Sequence, residues 1–516
     1  MPTKVAKFLA TSLTLAIFGI QAQAEAPLSA IDWLSQSLVT PAAQTLTPLN
    51  EPPIGSAGAA VPEAVTTSVL GNASLDAVGI LPPQVTGLPR ALWGTGRTTD
   101  IESLLAAEAP QDLPALQGLL MTVLLAEADP PADSTGESLL LARVDKLLSI
   151  GALDQARALL DAAGPTASPE IFRRYFDVAL LIGDEDRACA FLKAAPALSP
   201  ALPTRIFCLA RAGDFEAAGL TLDTARTLNT VTPADAALLD RFMNPELDET
   251  DTVPATPNPV TPLALRLFEA IGEPLPVAPL PVAFSYTDLS DRAGWKAQIE
   301  AAERLSRAGA LSPNLLLGLY TSQKPAASGG VWDRVAAFQN LDSAIAAKDI
   351  RATEQALPIA WTQMTNAELE VPFAALYADK LARMALTGDA AQIVFHISLL
   401  SSDYESLSAA RAATSPTDQF LAALAKGDLA HATPTDPLSM AIQSAFTAPA
   451  IPDDIAAVLA QGRIGEVILT ALSRIVHGTT GDLRGVTEGL SVLRHIGLED
   501  AARRTALELL LLDRRG

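Results

Sequence analysis

Two cysteines, four histidines and one mixed polar loop are the residues of this chain whose chemistry could define a site. Cys189 and Cys208 are its only cysteines. Each falls on an expected helix, 185–194 and 201–212, and the two are equidistant from the turn Pro196-Ala197-Leu198-Ser199-Pro200. In an antiparallel hairpin such residues lie opposite one another, so the pair is spaced to form a disulfide. Closing a loop of about 20 residues contributes roughly 3 kcal/mol in the chain-entropy account. Two buried free thiols are the other arrangement the spacing allows. The Cys-x-x-Cys spacing of a redox site is absent. The nearest histidine, His396, is too far along the chain to suggest a zinc set.

His396, His431, His477 and His495 stand singly, with no His-Glu-x-x-His and no paired metal spacing. Gly-x-Ser-x-Gly, the phosphate loop and Ser-x-x-Lys are missing. Gly94-Thr95-Gly96 lacks the third glycine and the preceding strand of a dinucleotide fingerprint. Asp184-Glu185-Asp186 has the charge to hold a cation, but sits where a helix N-terminus favours acids. The sequence thus offers no catalytic residue, no metal set and no cofactor motif, and predicts a protein that is not an enzyme. The mixed loop runs from Tyr320 to Arg334 and holds hydroxyls, Gly329, Gly330, Lys324 and Trp332. It reads either as an interhelical loop pinned by Trp332, or as a recognition loop built on Tyr320, Lys324, Trp332 and Arg334.

The elements that position these residues are expected to be helices. Of the 516 residues, 49% are apolar but only 5% aromatic, so the apolar mass is largely Ala and Leu. Those are strong helix formers, whereas strands favour β-branched and aromatic residues. The predicted fold class is all-α. The net charge of −22 repels polyanions, which argues against nucleic acid and anionic membrane surfaces as partners.

The N-terminus reads as an export signal. Lys4 and Lys7 precede an apolar core from Phe8 to Ile20, followed by Ala22-Gln23-Ala24. That is the order of a cleavable secretory peptide, with cleavage expected after Ala24. The core is too short to span a bilayer, which takes about 20 residues. No cysteine follows for lipid attachment, and no later segment offers 18 uninterrupted apolar residues. The predicted product is periplasmic or secreted, without a membrane span.

Residues 25–74 form a short amphipathic segment and a Pro/Thr/Ala-rich linker expected to be disordered. Ile31, Leu34 and Leu38 share one helical face, with Trp33 beside it. This segment is a candidate partner-binding helix, with folding back on the chain or disorder as its other readings. A helical region is expected over 75–243. A Pro-rich linker and extended crossing with one helix near 262–271 follows over 244–288, and a second helical region over 289–516.

One pattern recurs through both regions. An apolar stretch ends at Gly, an acidic or small residue follows, and an Ala-rich helix begins. It marks Gly151, Gly183, Gly213, Gly388, Gly427, Gly462 and Gly497. Gly supplies the left-handed residue that ends a helix, and the acid favours the positive end of the next. Spacings of 30–35 residues between 151, 183 and 213, and between 427, 462 and 497, are those of helix-pair arrays. The pattern resembles tetratricopeptide and related α-solenoid repeats over about 135–230 and 370–512, though the Trp, Tyr and Pro positions of the full consensus are mostly absent. Only the Gly-x-x-x-x-Ala hinge carries over cleanly, at Gly151/Ala156 and Gly183/Ala188.

Such arrays present long surfaces to proteins and peptides. The expected function is an exported scaffold that binds a protein or peptide in the bacterial cell envelope. Two further readings stand beside it: an accessory part of an envelope machine, such as a flagellar motor or secretion complex, and a peptidoglycan-acting enzyme with a helical superstructure. The last would need a compact catalytic domain with strands, and none is legible after Leu289. Oligomeric state is left open.

Overall fold

The computed structural model describes residues 74–512, apart from 108–111, 200, 245–253, 412 and 414. The export signal and the Ile31/Trp33/Leu34/Leu38 segment lie outside the described residues. The described residues are all-α, as expected. They contain no strand, and the one β-type contact is a single bridge between Leu81 and Ala126. No helix among them is long and apolar enough to cross a membrane.

Consecutive helices pair through short turns, which makes them antiparallel neighbours. Ser138–Ser149 packs on Leu153–Ala163, Pro169–Ile182 on Glu185–Ala194, and Leu202–Arg211 on Phe215–Thr227. Trp295–Arg307 then pairs with Pro313–Thr321, Val331–Ala346 with Ile350–Thr365, Glu370–Ala382 with Gly388–Leu399, and Ile464–Thr479 with Leu483–His495. The seven hinge glycines all have φ between +57° and +87°. Gly183 shows the device in full. Ser168 caps the start of Pro169–Ile182, whose Pro169 needs no N–H donor there. Gly183 ends it in the left-handed conformation, its N–H bonding Ala179 O. Between those ends Ile171, Phe172, Tyr175, Phe176 and Val178 are buried.

The acids after the glycines behave less uniformly. Asp214 caps its helix, accepting from Ala217 N at 3.2 Å. Asp184 makes no such cap; its carboxylate takes Arg157 at 2.6 Å instead. After Gly427-Asp428 no helix begins until Pro437, where Asp436 and Ser439 form a reciprocal capping box. That box, with Pro437 suited to the first turn, outcompetes the earlier start.

The crossing is more ordered than its prolines suggest. Pro262–Ala270 packs against Pro169–Ile182, and buried Arg266 donates to Leu180 O at 2.6 Å, satisfying a carbonyl of that helix's last turn. The expected extended run is corrected over Val282–Leu289, which winds into 3₁₀ turns and buries Phe284 and Tyr286. Past Pro281 the chain regains backbone donors, and Phe284 N bonds Pro281 O at 3.0 Å.

The start of the described chain lies against its end. Pro114–Leu125 packs on Glu499–Leu511, and Thr98–Ala106 on Ile464–Thr479. Gly465 N donates to Leu92 O at 2.8 Å. Ala115 N donates to both carboxylate oxygens of buried Glu508, at 3.0 and 2.8 Å. Nothing in the residue pattern announces this seam.

Some charge is buried inside the packing. Arg143 donates to the carbonyls of Leu124 and Val78 at 2.7 and 2.6 Å, and burial pulls its guanidinium down to about 10. Burial also pushes the Asp177 carboxyl up to about 6, against the pull of Arg173 and Arg174. A carboxyl raised above its unfolded value of about 3.9 stabilises the fold below that value, and this is lost as pH rises through the folded one. Asp177→Asn is therefore expected to flatten stability between about pH 4 and 7 and to exceed the parent at pH 7. Urea midpoints at pH 5 and pH 7 check this; a parent midpoint that does not fall over that interval refutes it.

Candidate docking groove

The two cysteines are joined, with their Cα atoms 5.2 Å apart. The bond ties Glu185–Ala194 to Leu202–Arg211 across the turn Pro196–Leu198. Arg205 braces that turn from the second helix, donating to the carbonyls of Ser199 at 2.7 Å and Pro196 at 2.5 Å. Tyr175, Phe176 and Phe207 pack beneath, fully or almost fully buried.

These two helices and the next one, Phe215–Thr227, enclose a half-open groove of about 690 Å³. The disulfide lines it, with Ala190 and Leu209 alongside. Lys193, Arg205 and Arg211 bring cations to it, and Asp186 and Asp214 bring carboxylates. Arg211 is held by Glu185 at 3.1 Å and Asp186 at 2.7 Å. Arg205 is spent on backbone carbonyls, and no carboxylate among the described residues pairs with it or with Lys193. The candidate cation cluster Asp184-Glu185-Asp186 is thus bonded to arginines: Asp184 to Arg157, the other two to Arg211.

The Phe215–Thr227 helix has two distinct faces. Ala218, Leu222 and Ala225 pack inward. On the outside, Ala217, Leu220, Thr221, Thr224 and Leu228 follow one another at helical spacing with no charge among them. Leu220 is 71% exposed and Leu228 63%, with Phe215 54% exposed at the helix start. Besides exposed charges at Glu216, Asp223 and Arg226, this helix turns an apolar and hydroxyl stripe to water, beside the groove. The sequence carried the signal as a second uncharged period on one Ala-rich helix, masked by the stronger inward period.

The Tyr320–Arg334 residues are brought together, but inward. Tyr320 is fully buried and its hydroxyl donates to Glu303 Oε1 at 2.6 Å. Arg334 donates to both oxygens of Glu303, at 2.7 and 2.6 Å. Trp332 packs its ring against Trp295 at 5.1 Å between centroids. Lys324 stands apart on the exposed tip. Burial and the Glu303 charge hold the Tyr320 hydroxyl protonated, its pKa raised well above the ordinary value. The arrangement clamps a loop; its remaining exposed side chain of those four is Lys324.

The histidines do not converge. His396 lies 3.3 Å from Asp418, and His477 bonds Ser473 O. Among the described residues no group of three or more His, Cys, Asp or Glu is placed to hold a metal ion.

Removing the disulfide has a direct readout. A Cys189→Ser/Cys208→Ser variant is expected to lose roughly 3 kcal/mol, from a closed loop of about 20 residues. Reductant should lower the parent's urea midpoint and leave the variant's unchanged. A parent midpoint indifferent to reductant would mean the bond adds nothing to stability.

Compared with protein-family models, curated proteins and solved structures, the chain matches none.

Proposed function

We propose that this chain is an exported helical-repeat scaffold that binds a protein or peptide partner in the bacterial cell envelope. The observation that carries the reading is the groove beside the disulfide, flanked by the uncovered stripe of Leu220 and Leu228. Helix-in-groove recognition uses such apolar surfaces. Two features support the location. The first is the signal-like order of Lys4, Lys7, Phe8–Ile20 and Ala22-Gln23-Ala24. The second is the disulfide, since such bonds persist mainly in oxidising compartments. The hinge glycines support the α-solenoid reading. A place in an envelope machine is the same proposal with a stable assembly as partner.

The test is co-purification from solubilised envelopes, with the parent and a Leu220→Asp/Leu209→Asp variant side by side. A partner held by the parent and lost by the folded variant is the expected result. A partner held equally by both removes the groove from the proposal. Chain recovered from the periplasm should begin at Glu25; an intact Met1 terminus there would refute cleavage after Ala24.

A further inference from the structure

We propose that the Cys189–Cys208 bond is a thiol-exchange site, opened through the groove by an incoming dithiol and closed again without unfolding. The exchange is independent of any partner that the groove receives. The chain is the substrate of this chemistry, so it needs no Cys-x-x-Cys pair of its own.

Exchange requires a sulfur that a thiolate can reach. Both cysteines line the half-open groove of about 690 Å³, a volume that admits a small thiol or a thiol-bearing side chain. Their exposure differs. Cys208 is buried, at 7% exposure, whereas Cys189 is half-buried. The groove therefore directs attack to Cys189 Sγ.

Charge favours the same step. The attacking group is an anion, and Lys193 lines the groove one turn beyond Cys189. Arg205 lines it one turn before Cys208 and donates to backbone carbonyls, which leave its charge uncancelled. Arg211, one turn after Cys208, is shared between Glu185 and Asp186 at 3.1 and 2.7 Å. The other carboxylate of the lining, Asp214, accepts from Ala217 N at 3.2 Å. Attack at Cys189 makes Cys208 the leaving thiolate, and Arg205 offsets the negative end of the helix that carries it. A stabilised leaving thiolate departs faster.

The electrons balance with a dithiol as reductant. Its first thiolate bonds Cys189 Sγ as the Cys189–Cys208 bond breaks, and Cys208 leaves as a thiolate that takes a proton from water. Its second thiolate then attacks its own first sulfur, and Cys189 leaves as a thiolate that takes another proton. Two electrons have reached the chain, and the dithiol has become an internal disulfide. The reverse sequence, with a disulfide as oxidant, re-forms the bond. The hairpin outlasts the open state. Arg211 still ties Leu202–Arg211 to Glu185 and Asp186, and Arg205 still braces the turn. Phe207 still packs edge-on against Phe176, 6.1 Å between centroids. The sulfurs thus stay within reach of each other, while the two helices that wall the groove lose their covalent tie.

The experiment follows reduction of the oxidised full chain by dithiothreitol, with and without about 1 M urea, by acid quenching, alkylation and mass spectrometry. Exchange through the native groove should quicken less than about threefold in the urea, because little surface opens. Exchange that waits for global unfolding would quicken about 5- to 150-fold, and that result overturns the proposal. Charge gives a second readout, with single thiols as probes. Lys193→Glu, at an exposed position, should slow glutathione about three- to tenfold more than cysteamine. The attacking form of glutathione is doubly negative and that of cysteamine carries no net charge. Equal slowing of the two would remove the groove as the route. The reduced chain should keep its far-UV circular dichroism, and oxidised glutathione should restore the bond. Loss of helix on reduction, or failure to re-close, overturns the proposal as well.

Discussion

Glu303→Ala is expected to lower stability by about 3–5 kcal/mol, the usual cost of removing one partner of a buried ionic group. Glu303 is 4% exposed and accepts every polar contact that Tyr320 and Arg334 direct toward it. Without it, a guanidinium and a phenol remain inside with no acceptor. Burial works against the Arg334 charge, and the Glu303 hydrogen bond and charge more than offset it. The penalty is therefore one of orphaned groups, and a second experiment separates it from lost packing. Glu303→Met/Tyr320→Phe/Arg334→Met is expected to recover most of the stability, since well-packed apolar replacements often match a buried ion pair. Urea midpoints of the parent, single and triple variants decide it. A single variant within about 1 kcal/mol of the parent would show that water reaches the site and the clamp is weak.

The second large effect lies at the seam. A side chain at Gly465 would place its Cβ 2.4 Å from Trp93 Cζ3 and 3.1 Å from Leu92 Cγ, both on fully or almost fully buried residues. At Gly94 the same addition meets Gly462 backbone at 2.5 Å, in a residue with φ +51°. Overpacking costs typically 1–3 kcal/mol, and a left-handed non-glycine residue about 1–2 more. Gly465→Ala is thus expected to lose about 1–3 kcal/mol and Gly94→Ala about 2–5. The distinguishing readout is local. Amide exchange should quicken in Pro114–Leu125 and Ile464–Thr479, and not in Phe215–Thr227. Uniform quickening across the chain would mean that the seam is no separable unit.

The helices were legible because each carried its own signals. Pro169–Ile182 is bounded where Ser168 and Gly183 put it, with no reference to distant residues. The disulfide followed from a local symmetry, two cysteines about one turn. What local pattern does not encode is which helix meets which across hundreds of residues. Trp93 and Gly465 are unremarkable in their own neighbourhoods and matter only together. The Tyr320–Arg334 stretch left two readings open, a loop pinned by Trp332 and a recognition loop, because it combined polar and aromatic residues. The partner that turns Tyr320 and Arg334 inward, Glu303, lies one helix earlier and looks like any surface acid of an amphipathic helix. The groove stayed hidden for a related reason: Lys193 and Arg205 are ordinary in sequence, and only the packing of three helices places them beside the disulfide.

The contact between Ala115 and Glu508 also sets a clock. Its two residues are 393 positions apart, so Pro114–Leu125 finishes synthesis long before its lid exists. At about 5–20 residues per second the wait is roughly 20–80 seconds. Through that interval Leu116, Leu120 and Leu124, wholly or almost wholly buried in the finished fold, lack the helix Glu499–Leu511 that packs on theirs. A nascent chain in this condition is a substrate for holding chaperones, and one cut short before Glu499 stays in it permanently. Until the thirteen-residue helix Glu499–Leu511 is made and packed, the face of Pro114–Leu125 that it covers stays open.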